Sequence, residues 1–464
     1  MTGRSAASRL GRSRLCGCAG LGLLPPENSS GPNPISPPRP PAHLPTDNQL
    51  VFSWVPRHDW PMNEGERAQV LASFAAQPDE IAELLRYNAN DFRHDLVTYP
   101  VGLPLVSEAH VAVWETYAAE ARQRGPFPVL ADALTQLHFP IREGLSQTDE
   151  YRDATLRGCA VAGLSSATGL PLVDPDRLEL RIHHGLAGSV PVLIARNRAD
   201  FRQLVQALTA RNEPVTVPDS MGACIVAGYN NWDRIRRIRR QWERTQPGSS
   251  GELEWRDEFR RLIPQKERYQ DRFIILSNSP YSGVPGETFG FGEQEWAALS
   301  LTIRLEHECA HYLTRRLLSR MKNNTLDELI ADYCGIVAAA GEYRGDWALE
   351  FLGLSRLPDC GTSGRLYNYR GEPPLSDGAF RVLQALVTSA VSNIEQFHAR
   401  HVPKPAPPKL STRLALAITR LTIEELACPD AQEILERTWE RTEKDYVFVE
   451  KKSRGASTSG HEPA

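Results

Sequence analysis

Apolar residues recur at helical spacing near the start of the globular sequence and again through its last third, with a strand-like stretch between. Over residues 63–87, Val70, Leu71, Phe74, Ile81, Leu84 and Leu85 return every three or four positions, the pattern of an amphipathic helix. Helices are also predicted over 108–124, 128–137 and 149–161. Residues 178–182 then alternate, and 190–195, 223–227 and 273–276 are short apolar runs beside turn residues, which predicts strands. Between them 200–210 reads as a helix with Asp200 as N-cap. From residue 293 helical patterns take over: about 294–319, 327–340, 377–400, 412–418 and 430–442. The expected fold class is therefore α+β, predominantly helical. It divides into a helical region (49–164), a mixed α/β segment (165–290) and a second helical region (291–450).

The two ends read differently. Residues 1–48 combine a basic, acid-free start with a stretch dense in Pro, Ser, Gly and Asn, which fits a disordered or a targeting extension. Residues 451–464 read as a disordered tail. Asn28 and Asn323 stand in sequons, which matter only in a secreted chain.

Composition narrows the function classes. A net charge of -4 argues against nucleic acid or a membrane surface as the main partner. No apolar run reaches the 18 residues that suggest a membrane helix, so no membrane insertion is expected. The 8 cysteines are irregularly spaced without CxxC, which suggests reduced, buried thiols and a cytoplasmic location. Residues 234–244 carry Arg234, Arg236, Arg237, Arg239, Arg240 and Arg244, with Ile235, Ile238 and Trp242 on one helical face. This can be a solvated face or a contact for an acidic partner such as nucleic acid.

The chemistry concentrates in one place. His307-Glu308-Cys309-Ala310-His311 is an HExxH sequence inside a predicted helix. Residues four apart share a helix face, so two imidazoles can bind one ion from the same side. Glu308 is then placed to take a proton from a metal-bound water. On the next predicted helix Glu328-Leu329-Ile330-Ala331-Asp332 supplies a carboxylate to complete a His2Glu set. Asp332, one turn further, can orient a ligand imidazole. HExxH followed by ExxAD resembles the gluzincin zinc metallopeptidases over roughly residues 296–342. The resemblance implies a zincin-like catalytic half holding one Zn2+ per chain. It also implies His307, His311 and Glu328 as ligands, Glu308 as general base, Asp332 behind a ligand histidine, and a peptide or protein substrate.

Further expectations attach to this reading. Residues 273–278 are a candidate edge strand for an extended substrate or, equally, a core strand, and the loop 280–286 can line the cleft. An oxyanion donor is needed besides zinc. Tyr343 and Arg344, just after the ExxAD helix, lead over Tyr312, Tyr333 and His398. Cys309 should point away from the ligand face into the core. His183 and His184, adjacent on a strand, should face opposite ways and not share an ion. Two other classes stay open: a non-catalytic binding or regulatory protein on such a fold, and a nucleic-acid-linked protein using the 234–244 helix.

Overall fold

The computed structural model describes residues 61–245, 251–319, 324–355 and 364–449. The expected 1–48 extension, the 451–464 tail and both sequon asparagines lie outside the described residues. The fold is α+β and predominantly helical. Six strands are present among the described residues: β1 (Val101–Leu103), β2 (Glu179–Gly185), β3 (Gly188–Ala195), β4 (Ala223–Asn230), β5 (Gln270–Ser277) and β6 (Tyr446–Phe448). Strands β2–β5 form one sheet in the order β2-β3-β5-β4, with β3 and β5 parallel and the outer pairs antiparallel. β1 and β6 form a separate two-stranded parallel ribbon.

All four strands of the large sheet were expected from their patterning. All eight positions of β3 are buried because both faces of the sheet are covered. The alternation along β5 sorts the two layers. Phe273 and Ile275 pack with Phe201 and Leu204 of the helix Arg198–Thr209. Ile274 and Leu276 face the other way, against Cys309, Tyr312 and Leu313 of the long motif helix Glu293–Leu318. A third apolar core fills the helical side, where the carboxylate helix Thr325–Ala340 meets helices Gly345–Leu352, Asp377–His401 and Pro408–Ile418.

The motif and carboxylate helices pack closely because Gly335 lies under the motif-helix backbone. A Cβ there would stand 2.5 Å from the Ile303 carbonyl oxygen, so any side chain would push the helices apart. The carboxylate helix starts where Asn324 accepts a hydrogen bond from the Asp327 N–H at 3.1 Å. This places Asp327 and Glu328 in its first turn, where the positive end of the helix dipole favours them.

Three expectations need correction, and some elements were not foreseen. The span 63–87 is two helices, Glu64–Ser73 and Pro78–Tyr87, because Ala75 turns left-handed (φ 62°) and Pro78 opens a new first turn. The cap of the 198–209 helix is Asn197, whose side chain accepts from Asp200 N at 2.8 Å. Asp200 instead holds the Val173 and Asp174 N–H groups. β5 is an interior strand, and the edge strand beside the motif helix is β4. The helix Glu252–Leu262 and the short strands β1 and β6 had no counterpart in the periodicity. Among the described residues no helix is long and apolar enough to cross a membrane, and Cys159, Cys224, Cys309, Cys334 and Cys428 form no disulfide.

Candidate metal centre

His307 and His311 face the start of the carboxylate helix. All three side chains meeting there are buried, at 2% (His307), 4% (His311) and 1% (Glu328) exposure. The two Nε2 atoms stand 3.1 Å apart. Glu328 Oε2 is 3.5 Å from His307 Nε2, and Glu328 Oε1 is 3.5 Å from His311 Nε2. Neither carboxylate oxygen of Glu328 has a hydrogen-bond partner. Three ligands around a tetrahedral ion with bonds of about 2.0–2.2 Å would lie about 3.3–3.5 Å from one another. The cluster therefore has the donor types that zinc takes and nearly its spacing, with the two Nε2 atoms slightly closer than that range.

Each imidazole has an acidic neighbour behind it. His307 Nδ1 is 3.0 Å from Asp332 Oδ1, so an Nδ1–H donated there leaves Nε2 as the free lone pair. His311 Nδ1 is 3.6 Å from Asp327 Oδ1, in ion-pair range and too long for a hydrogen bond. The spacing identified Asp332 but not Asp327. The available signal was an acid directly before Glu328, on the same first turn.

Burial alone would raise the pKa of Glu328. His311 and His307 override it and hold the carboxyl at about 2. For His311 burial favours the neutral ring, but Asp327 and Glu328 outweigh it and lift the pKa well above the usual value. Burial likewise works against the Asp332 carboxylate, and Arg365, His307 and Tyr281 together hold its pKa below the usual range.

Tyr281 and Arg365 complete the wall. The Tyr281 hydroxyl donates to Asp332 Oδ1 at 2.7 Å and accepts from Arg365 Nη1 at 2.8 Å. Arg365 also pairs with Asp332 Oδ2. Tyr281 lies in the loop expected to line the cleft. Arg365 had no signal in the sequence, since it arrives from a separate segment, the short 3-10 helix Arg365–Tyr369. Arg304 is buried too, but it donates to the carbonyls of Ser277, Ser279 and Pro280 and fixes that loop.

Glu308 lines a cavity of 40 Å³ with His307, Arg304, Tyr281, Arg365 and the start of β4 at Gly222–Ala223. That is room for about one water molecule. Burial, aided by Glu328, raises the Glu308 pKa, against the pull of His307, His311 and Arg304.

Other candidates lie elsewhere. Arg344 pairs with Asp346 at 2.7 Å on the surface, because the chain turns outward to start the next helix. Tyr343 is buried against Tyr333 and His398, outside the cavity lining. Neither is among the residues lining the cavity, although the buried Tyr343 hydroxyl has no hydrogen-bond partner. Tyr333 and His398 bond to each other in the same packed layer, and Tyr312 donates to Glu108. Cys309 is buried on the sheet side, as expected. His184 bonds Ser189 at 2.8 Å while His183 turns to Glu306 at 3.1 Å, so the two do split between faces. In the Arg-rich helix Trp232–Thr245, Arg234 is buried on Asp271, Arg237 pairs with Asp233, and Arg239 with Glu243 and Glu252. Much of its charge is thus spent within the fold.

A family model described as "Family of unknown function (DUF7005)" matches residues 69–430, a span that contains both motifs and the whole large sheet. No curated protein and no solved structure matches the chain.

Proposed function

The chain belongs to this family of unknown function, and we propose that it is a zinc-dependent hydrolase acting on peptide bonds. The observation that carries the reading is the buried His307–His311–Glu328 cluster, in which a carboxylate without hydrogen-bond donors faces two imidazole nitrogens at 3.5 Å. A buried carboxylate left without donors is costly unless a cation meets it. A zinc ion held by these three side chains would supply a Lewis acid and lower the pKa of a bound water towards 7.

The chain's own groups account for the rest. Glu308 takes a proton from the attacking water and returns it to the leaving amine, and its raised pKa suits both halves of that task. Asp332 and Asp327 hold the two imidazoles in orientation. Arg365 supplies the oxyanion donor in place of Tyr343 and Arg344. It lines the cavity, and its buried Nε–H has no acceptor. The outer edge of β4, which begins at the cavity, offers main-chain groups to an extended peptide.

The test compares the zinc-loaded protein with Glu308→Gln on a mixture of unfolded protein substrates, reading new N-termini. The variant should keep its zinc and lose about 10²–10⁴-fold in rate. Equal cleavage by both proteins would remove the catalytic role. A purified chain that takes up no zinc would remove the metal.

A further inference from the structure

The back of the motif helix carries a second cluster of metal-binding residue types. Glu306 and Cys309 are three residues apart and so share one face of the helix, turned towards the sheet. His183 reaches the same point from β2, the far edge strand. One imidazole nitrogen of His183, one Glu306 carboxylate oxygen and the Cys309 sulfur all lie within 4.8 Å of one another. The set is separate from His307, His311 and Glu328, which occupy the opposite side of the same helix turn.

Two details argue against an ordinary surface ion pair. His183 Nε2 is buried and stands 3.1 Å from Glu306 Oε1, yet it forms no hydrogen bond. The ring nitrogen is near the carboxylate without being aligned to it. The third corner is a free, buried thiol. We propose that His183, Glu306 and Cys309 bind a second divalent transition metal ion of the zinc class. A mixed nitrogen, oxygen and sulfur donor set suits zinc or cobalt and is poor for magnesium or calcium. The side chains of His183 and Glu306 are 22% and 32% exposed, which leaves a solvent path for the ion and a position for a water ligand. An ion there ties the outer strand of the sheet to the helix that carries the hydrolytic residues.

Sulfur makes this site readable by itself. The apoprotein is titrated with Co²⁺, and the near-ultraviolet sulfur-to-cobalt charge-transfer band is followed alongside metal content per chain. The wild type should bind two ions and show the band. Cys309→Ser and His183→Asn should each lose the band and one ion. His311→Ala should keep the band while losing the other ion, so failure at the His307–His311–Glu328 cluster is separable from failure here. A wild type without the band, or a band that survives in Cys309→Ser, overturns the proposal. Far-ultraviolet circular dichroism on each variant shows that a lost band does not come from misfolding.

Discussion

Two carboxylates in this protein are equally buried and oppositely treated. Asp271 on β5 and Glu328 on the carboxylate helix are each 1% exposed. Asp271 accepts from Arg234 Nη1 at 2.6 Å, Asn231 Nδ2 at 2.6 Å and Trp114 Nε1 at 2.8 Å. Glu328 accepts from nothing, and its nearest neighbours are imidazole nitrogens pointing at the same spot. The first cluster is closed: every charge has its counterpart within the chain. The second brings two imidazoles and a carboxylate to one point with no hydrogen bond between the carboxylate and either ring, an arrangement that the proposed metal ion would satisfy. Burial alone does not distinguish the two carboxylates; the inventory of donors around each does.

The largest expected effect tests the closed cluster. Asp271→Ala strands the buried Arg234 guanidinium and should cost about 3–5 kcal/mol in urea unfolding, with metal content unchanged. A much smaller cost would mean that Asp271 is not the counter-charge it appears in the geometry to be. The open cluster should respond to metal instead. With free zinc a thousandfold above its dissociation constant, stripping the ion with a chelator should lower stability by about 4 kcal/mol. In Glu328→Ala most of that response should disappear.

A third buried group sharpens the contrast because its partners are neutral. His398 Nε2 accepts the Tyr343 N–H at 3.2 Å, and Nδ1 meets the Tyr333 hydroxyl at 2.9 Å. Burial pushes its pKa down to about 4. The unfolded chain, with a histidine pKa of about 6.5, binds the proton more readily, so this group's stabilisation is complete above that pH. It should be lost as pH falls from about 6.5 towards 4, by at most about 3 kcal/mol. His398→Gln should show a shallower decline over that window in denaturation curves taken at stepped pH. The smallest effect concerns the groups behind the ligands. Asp332→Asn should weaken zinc binding about 10–100-fold in a competition titration, and Asp327→Asn, whose carboxylate is only at ion-pair distance, should fall at the lower end of that range.

The sequence disclosed the parts of this arrangement that are local. His307, His311, Glu328 and Asp332 announce themselves by spacing on two successive helices, and the four strands of the large sheet by their apolar runs. What escaped is set by contacts between distant segments. Arg365 reaches Asp332 from a stretch with no pattern of its own, and nothing in the order of residues marks β5 as interior and β4 as edge. Tyr343 and Arg344 show the converse, since neither lines the cavity. Nearness in sequence to the ExxAD helix suggested a role, but the chain reverses at Gly341 and carries Arg344 to the surface. The broken helix at Ala75 was hidden because the apolar repeat continues across the left-handed turn.

The β1–β6 ribbon gives the molecule a clasp. Val101 pairs with Tyr446 and Leu103 with Phe448, so a segment made early in synthesis waits for one made near the end. Both the HExxH and the ExxAD motif leave the ribosome before that partner exists. The loop closed by this pairing spans most of the described chain, and closing it carries an entropic cost that contacts formed earlier must offset. A chain stopped before Tyr446 would hold every residue of the His307–His311–Glu328 cluster and still expose the unpaired β1 edge, a surface open to association with other copies.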